Sequence, residues 1–299
     1  MNTRELMQRY GVKPKQSLAQ NFLTDPVHLA HIVAAAELTV ADTVLEVGPG
    51  LGSLTHLLAA QAGRVIAVEL DNRLIDLLRK EFANQPHVQI IHGDILELEP
   101  GELVGNSEFG VRNEDPTPLL PYSPTPLLPT SYKVVANLPY YITSAVLRHL
   151  LEAEARPTRI VVLVQKEVAE RICTAPGDLS ILAVSVQYYA RPTLVHHVPA
   201  SAFHPQPKVD SAVLRLDVLP TPAVPDIPVE TFFRVVRAGF SQKRKQLINT
   251  LSAGLHLSKA DAASVLERNG IDPKRRAETL SLDEWGVVCR ALESRSVEQ

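Results

Sequence analysis

The segment Asn137-Leu138-Pro139-Tyr140 ends an apolar run, VVA, on an amide, a proline and a phenol ring. Pro139 cannot donate a backbone hydrogen bond and biases the preceding residue towards an extended conformation, so the predicted strand stops here. The Asn137 side-chain oxygen and the Leu138 backbone carbonyl could accept hydrogen bonds from both N–H groups of a conjugated amine. This would localise its lone pair for in-line attack. Tyr140 could stack on the base that carries this amine. On these residues alone, a proline turn with surface tyrosines is the simpler interpretation.

A second stretch, LEVGPGLGSLT, follows a predicted strand and opens a predicted helix. Gly48, Gly50 and Gly52 let the backbone approach a ligand, and a helix N-terminus follows directly. A dinucleotide-binding loop needs its third glycine at position 53, where this chain has Ser53. Because Glu46 lies at the strand end beside this loop, we expect a ligand with a cationic amino group rather than a pyrophosphate. A tight turn that binds nothing is the weaker alternative.

Two further carboxylates end the next two predicted strands. Glu69 closes VIAVEL, where a carboxylate can accept both hydroxyls of a ribose. Asp94 closes IIHGD, where it could accept from the exocyclic amine of an adenine. Either acid alone is more often a solvated strand-end residue. Since ligands of open α/β sheets bind at this edge, two acids and a glycine loop at three successive strand ends predict a nucleoside site.

Short apolar runs alternate with helical stretches from residue 43 onwards, which is typical of a parallel α/β sheet with right-handed crossovers. The predicted strands span 43–48, 64–70, 88–94, 133–139 and 159–165. After residue 178, LSILAVSVQYYARPTLVHHV and VDSAVLRLDVL suit longer strands that close the sheet edge. Beyond the proline-rich PTPAVPDIP the pattern becomes helical, with a Ser start and a Gly stop around SKADAASVLERNG.

These patterns predict two domains. We expect an α/β domain over 1–219, a linker over 220–229 and a small all-helical domain over 230–299. A proline-rich insertion at about 100–131, in which PTPLLP occurs twice, interrupts the first domain. We assign it no chemistry.

The net charge of −3 conceals a basic stretch in the helical region. Between positions 230 and 261 there are six basic residues and no acidic one: Arg234, Arg237, Lys243, Arg244, Lys245 and Lys259. A local basic face on an otherwise acidic chain indicates a polyanionic partner, and Arg237, Lys243, Arg244 and Lys245 are candidate RNA contacts. A solvated helix face is the alternative.

The composition, with 45% hydrophobic and 21% charged residues, is typical of a globular protein. Its two cysteines belong to no CxxC pair, which argues against a disulfide scaffold or zinc ribbon and suits a reducing cytoplasm. The amino terminus has no apolar signal region, so we expect a cytosolic protein. The histidine pairs at 28/31 and 196/197 have no third ligand, and we predict no metal site.

Taken together, these motifs resemble a known enzyme family. The stretch from Glu46 to Gly52, the two acids and the segment from Asn137 to Tyr140 are similar to the S-adenosylmethionine and target-base motifs of class I adenine methyltransferases. SLAQNFLTD, FHPQPKVDSAVLRL and FSQKRKQLINTL resemble, more narrowly, the small-subunit ribosomal RNA adenine dimethyltransferases. The resemblance covers nearly the whole chain.

The resemblance implies a Rossmann-like sheet with helices on both faces, a small helical C-terminal domain, and S-adenosylmethionine as methyl donor. It implies dimethylation of two adjacent adenosines in the 3′-terminal hairpin loop of 16S rRNA, in a small ribosomal subunit or its assembly intermediate, with a role in subunit biogenesis. Asn21, Leu23 and Asn137 would line the cofactor site, and Phe203 would flank the target base with Tyr140. No self-complementary apolar patch is evident, and we expect a monomer.

The sequence also bears on four other functions. A methylase of adenine in large-subunit rRNA shares the core motifs, but FHPQPKVDSAV and FSQKRKQLINTL favour the small-subunit group. A DNA adenine methylase would need a target-recognition region, and Ser53 disfavours a NAD oxidoreductase. A binding protein that has lost catalysis is argued against by Asn137 and Tyr140.

Overall fold

The computed structural model describes residues 3–12, 14–15, 20–105 and 131–297, in which strands and helices alternate. The strands are β1 (Phe22–Leu23), β2 (Thr43–Val47), β3 (Arg64–Glu69), β4 (Val88–His92), β5 (Tyr132–Asn137), β6 (Arg159–Gln165), β7 (Ala190–Val198), β8 (Phe203–His204) and β9 (Ser211–Val218). The first eight α-helices in chain order are α1 (Thr3–Tyr10), α2 (Pro26–Ala36), α3 (Ser53–Ala59), α4 (Asn72–Glu81), α5 (Pro100–Gly105), α6 (Thr143–Glu152), α7 (Lys166–Ile172) and α8 (Ile181–Gln187).

Seven of the strands form one mixed sheet in the order β4-β3-β2-β5-β6-β9-β7. The strands from β4 to β6 run parallel, and β9 joins β6 antiparallel. The chain leaves β2 towards β3 and β4, then returns to place β5 on the other side of β2. This reversal puts a crevice at the carboxyl ends of β2 and β5, which is where open α/β sheets bind ligands.

The predicted class of fold is confirmed, and the parallel strands lie within two residues of their predicted ends. The strand at Arg159–Gln165 has the predicted bounds, because its five central residues are buried on both faces and read as one apolar run. The expectation of strand over the stretch that begins at residue 179 was wrong in its first half. Ser180 caps a helix there by accepting from the Ala183 amide, and α8 follows.

Two buried clusters hold the α/β region together. One joins α2 and α3 to the centre of the sheet through Ile32, Leu58, Val135 and Val161 among others. The other packs α1 against α4 through Leu6, Phe22, Leu78 and Phe82 among others. The start of α4 is set by Asp71, whose carboxylate accepts from the Arg73 amide as an N-cap. The second cluster includes Phe22 and Leu51, which also line the cavity at the carboxyl edge of the sheet.

The chain divides into two compact units: 1–169 with 193–218, and 170–192 with 219–299. The second unit contains α8 and four more helices, α9 (Val229–Gly239), α10 (Leu247–Gly254), α11 (Lys259–Arg268) and α12 (Leu282–Val297). Trp285 is fully buried against α9, where a side chain at Gly239 would collide with its ring. The division into domains at 219 and 230 remains a prediction; the structure groups 170–192 with the helical residues.

The first six residues of the predicted insertion form α5, and positions 106–130 lie outside the described residues. No helix in the described ranges has the length and apolar character needed to cross a membrane.

Candidate active site

A cavity opens at the carboxyl edge of β2, β3, β4 and β5. Loops from four strand ends form its floor, and the amino-terminal segment around β1 forms one wall. Of the predicted site residues, those on its walls are Asn21, Leu23, Glu46, Gly48, Gly50, Glu69, Asp94, Asn137, Leu138, Pro139, Tyr140 and Phe203. Residues separated by up to 182 positions in the sequence therefore share one site.

The loop between β2 and α3 turns through three glycines with positive φ: 69° at Gly48, 58° at Gly50 and 82° at Gly52. Residues with a side chain avoid this region, so the turn depends on glycine. A Cβ at Gly50 would lie 2.9 Å from the Phe22 ring, and one at Gly52 would lie 2.9 Å from the Phe82 ring. Gly48 and Gly50 line the cavity, whereas Gly52 does not and instead packs on α4.

Glu69 is anchored by two backbone amides. Its Oε2 accepts from the Gly50 N–H at 2.9 Å, and its Oε1 accepts from the Asp71 N–H at 2.8 Å. Burial raises the pKa of Glu69, and these two hydrogen bonds oppose the shift. Each carboxylate oxygen keeps a further acceptor site, so the group is held rigidly and can still accept two hydroxyls.

Glu46 is the most buried carboxyl group on the cavity wall, with 1% of its surface exposed. Burial raises its pKa to about 8, and the charge of Glu69 adds to the effect. Among the described residues, no hydrogen-bond partner reaches its Oε2 atom. A buried carboxyl oxygen without a donor is costly, and a cationic amino group in the cavity would supply one.

Asp94 caps the single helical turn Ile95–Glu97, and its Oδ1 accepts from the Leu96 amide at 3.0 Å. The preceding Gly93 donates to the Glu69 carbonyl at 3.0 Å, which ties the loop after β4 to the end of β3. Asp94 also lines the cavity, as Glu69 does, and the two acids follow the neighbouring strands β4 and β3.

The amino-terminal wall is tied to the rest of the site by backbone pairing. β1 pairs antiparallel with β8, which places Leu23 opposite Phe203. Thr24 donates to the Ala202 carbonyl from its amide at 2.9 Å and from its hydroxyl at 3.0 Å. Gln20 reaches the other side and donates to Asp71 at 3.0 Å. The segment 20–24 thus spans the cavity between its two sides.

Asn137 ends β5 on the cavity wall. Its Nδ2 donates to the Asn21 backbone carbonyl at 3.4 Å, which ties the end of β5 to the amino-terminal wall of the cavity. The adjacent Leu138 has a buried side chain and contributes to the same wall. The Ile142 amide donates to the Pro139 carbonyl at 3.2 Å and closes the turn. Asn137 and Leu138 are thus consecutive residues on the cavity wall, and each carries an oxygen that can accept a hydrogen bond from an amine.

Tyr140 and Phe203 are two of the four aromatic residues that line the cavity, with Phe22 and Tyr141. The Tyr140 hydroxyl lies 2.7 Å from the Ser211 hydroxyl at the start of β9. Burial raises the pKa of Tyr140, so its phenol is neutral at neutral pH. Phe203 is buried and packs with the core beneath α2. These two rings can receive a flat base, because aromatic side chains stack on bases in sites of this kind.

Other residues at the site do not follow from the motifs in the sequence. Leu70 and Ile95 follow the two strand-end acids directly, so the position after each acid was the signal that could have found them. Tyr141 follows Tyr140 in the same way and also lines the cavity. Ser211 contacts Tyr140 from 71 positions away, and no local pattern points to that contact.

The four candidate RNA contacts lie in the second compact unit, 170–192 with 219–299, called the helical unit below, and they do not line the cavity. Arg237 is on the last turn of α9, and Lys243, Arg244 and Lys245 occupy the turn before α10; all four are exposed. The histidines at 28 and 31 contact His196, at 3.0 Å between ring nitrogens for His28 and in a ring stack for His31. Within the described ranges, no group of three or more His, Cys, Asp or Glu residues is placed to hold a metal ion.

Comparison with known proteins places these features in a family context. A family model described as ribosomal RNA adenine dimethylase matches residues 11–289. A protein of Dehalococcoides mccartyi (strain CBDB1) named Ribosomal RNA small subunit methyltransferase A is 46% identical over 286 residues, covering 96% of this chain and 91% of that protein. A protein of the same name from Pelotomaculum thermopropionicum is 43% identical, covering 95% and 93% of the two chains.

Two solved structures share the fold. A dimethyladenosine transferase from Plasmodium falciparum is 23% identical with a TM-score of 0.73, covering 92% of this chain and 98% of that one, and it supports the fold alone. The 23S rRNA methyltransferase ErmE is 25% identical with a TM-score of 0.67, covering 91% and 99%.

Proposed function

The chain belongs to the ribosomal RNA adenine dimethylase family, and from this premise we propose that it dimethylates two adjacent adenosines in the 3′-terminal hairpin loop of 16S rRNA. It is an S-adenosylmethionine-dependent rRNA adenine dimethyltransferase. The small subunit as the particle it acts on is supported by the names of relatives that are 43% and 46% identical. We also propose that the protein is a monomer. It would act in the cytoplasm on small subunits or their assembly intermediates.

The residues on the cavity wall fit S-adenosylmethionine. The buried Oε2 atom of Glu46, which has no partner, suits the cationic amino group, and the open space beside Gly48 leaves room for the amino-acid part, with Gly50 on the same cavity wall. Glu69 would accept the ribose hydroxyls and Asp94 the amine of the adenine. Asn21, Leu23 and Asn137 would close the remaining sides, with Gly52 setting the turn from the α4 side.

When bound, S-adenosylmethionine supplies an electrophilic methyl group on a positively charged sulfur. The amine of the target adenine is a poor nucleophile, because its lone pair is delocalised into the ring. The Asn137 Oδ1 atom and the Leu138 carbonyl would accept hydrogen bonds from its two N–H groups. These bonds would localise the lone pair on nitrogen and aim it along the line of attack. Tyr140 and Phe203 would hold the base outside its helix, and Pro139 would fix the turn between them.

The helical unit would bind RNA phosphates. Arg237, Lys243, Arg244 and Lys245 are exposed cations within a segment without acidic residues. Contacts of this type position a nucleic acid without reading its sequence, so recognition of the target adenosines would remain with the cavity.

The single observation that carries this proposal is the placement of Asn137 on the cavity wall that it shares with Glu46, Glu69 and Asp94. The test incubates the protein with labelled S-adenosylmethionine and small subunits that lack the modification, then maps the methyl groups. Two methyls on each of two adjacent 3′-terminal adenosines are expected. No label at these adenosines would end the proposal.

Methylation of adenine in 23S rRNA is the second candidate, because ErmE shares the fold over 91% of this chain. Large subunits in a parallel reaction discriminate the two substrates: label in 23S rRNA alone would support the second candidate. Loss of all transfer in the purified protein would instead support a binding role without catalysis.

A further inference from the structure

Tyr141 is an exposed aromatic residue at the mouth of the cavity. Its surface is 60% exposed, although the residue lies on the cavity wall. It belongs to the one-turn helix Tyr140–Ile142, whose backbone is closed by the bond between the Pro139 carbonyl and the Ile142 amide at 3.2 Å. The position of Tyr141 is therefore set by the same turn that positions the target-base residues.

The two neighbouring tyrosines are held differently. Tyr140 is partly buried and its hydroxyl is bonded to Ser211, so its ring is fixed inside the cavity. Across the described part of the chain, Tyr141 forms no hydrogen bond and no ring stack. One phenol ring thus faces the base pocket, and the next stands at its entrance with its surface open to solvent.

We propose that Tyr141 forms a second base subsite, which stacks on the unpaired base next to the adenosine in the pocket. This inference rests on the proposed function, in which the target base leaves a hairpin loop. A neighbouring base in that loop is one phosphodiester link away and unpaired, so it reaches the entrance when the target is extruded. Single-stranded bases bind proteins chiefly by stacking on aromatic rings.

The subsite treats the two adjacent adenosines unequally. When the 5′ adenosine occupies the pocket, the other adenosine lies on its 3′ side. When the 3′ adenosine occupies the pocket, the other adenosine lies on its 5′ side. One ring at one point of the rim can stack on only one of these neighbours. Tyr141 therefore favours methylation of one adenosine over the other.

The experiment measures initial methylation rates at each adenosine separately, on small subunits, for the wild type, Tyr141→Ala and Tyr141→Phe. We expect Tyr141→Ala to lower kcat/KM at one adenosine by roughly 10-fold and to change the rate at the other much less, since stacking on one base is worth about that factor. Tyr141→Phe keeps the ring and should restore the wild-type ratio. Val40→Ala is the matched control, because Val40 is 85% exposed and lies outside the cavity wall.

Equal loss at both adenosines, or an unchanged ratio with Tyr141→Ala, overturns the subsite while the wild-type reaction still supports the proposed function. If the wild type places no methyl on these adenosines, the proposed function itself fails. The affinity of each variant for S-adenosylmethionine, measured without RNA, separates a fault in the cofactor site from a fault in RNA binding.

Discussion

The hydroxyl groups of Tyr140 and Ser211 lie 2.7 Å apart and join the target-base turn to the start of β9. Ser211 is completely buried, and the burial that raises the Tyr140 pKa keeps the phenol neutral. This bond fixes the ring that the proposal stacks on the adenine. Ser211 is thus a positioning residue that acts through Tyr140.

Ser211→Ala should lower kcat/KM for RNA by roughly 10-fold, because a base-stacking ring that can rotate loses part of the productive geometry. The affinity for S-adenosylmethionine should change little. Tyr140→Phe should have a similar effect, and the double variant should be little worse than either single one, since both remove the same bond. Additive losses in steady-state kinetics would show that the bond has no part in catalysis.

Gly50→Ala should weaken S-adenosylmethionine binding and destabilise the fold. A side chain at φ of 58° costs about 1 to 2 kcal/mol, and this Cβ also meets the Phe22 ring at 2.9 Å. Gly270→Ala is a matched control, because φ is 74° there and nothing lies within 4 Å. Titration calorimetry and urea unfolding should show lost stability in both variants but lost cofactor affinity only in Gly50→Ala. Equal affinity losses would contradict the role of the loop.

The buried Glu46 predicts a pH dependence of stability in the absence of cofactor. Its pKa is about 8 in the fold, against about 4.3 in an unfolded chain. The folded state therefore binds the extra proton between these values, and stability falls as the pH rises through this window. Glu46→Gln removes this contribution. The free energy of unfolding of this variant, relative to that of the wild type, should therefore increase from pH 5 to pH 8. Urea unfolding at several pH values tests this, with the exposed Glu267→Gln as control; parallel wild-type and Glu46→Gln curves would refute it.

The basic turn of the helical unit predicts a salt effect. Replacing Lys243, Arg244 and Lys245 by alanine should weaken binding to small subunits and reduce the slope of log affinity against log salt by about 2 to 3, because each phosphate contact contributes about 0.7 to 0.9. The affinity for S-adenosylmethionine should be unchanged. Replacing the exposed Arg79 and Lys80 of α4 tests whether any basic pair has this effect. An unchanged slope in the triple variant would exclude this turn from the RNA interface.

The sequence predicted the parts of the site that depend on short-range pattern. The strand at Arg159–Gln165 was predictable because burial on both faces leaves an unbroken apolar run, and the strand-end acids were predictable because parallel strands end at one edge. The contact of Tyr140 with Ser211 depends on the placement of β9 beside β6, which no local pattern encodes. The helix at Ile181–Gln187 was missed, because its valines and isoleucine read as strand and the Ser180 cap was overlooked.

Asn137→Ala is the most direct test of the proposed role of the Asn137 amide in methyl transfer. Single-turnover methylation of small subunits and the dissociation constant for S-adenosylmethionine should be measured on the same preparation. The account predicts that the transfer rate falls by about 100-fold or more while the dissociation constant changes by less than about 3-fold, because the amide acts on the target amine in the transition state. Equal losses in rate and cofactor affinity, or full activity, would contradict it.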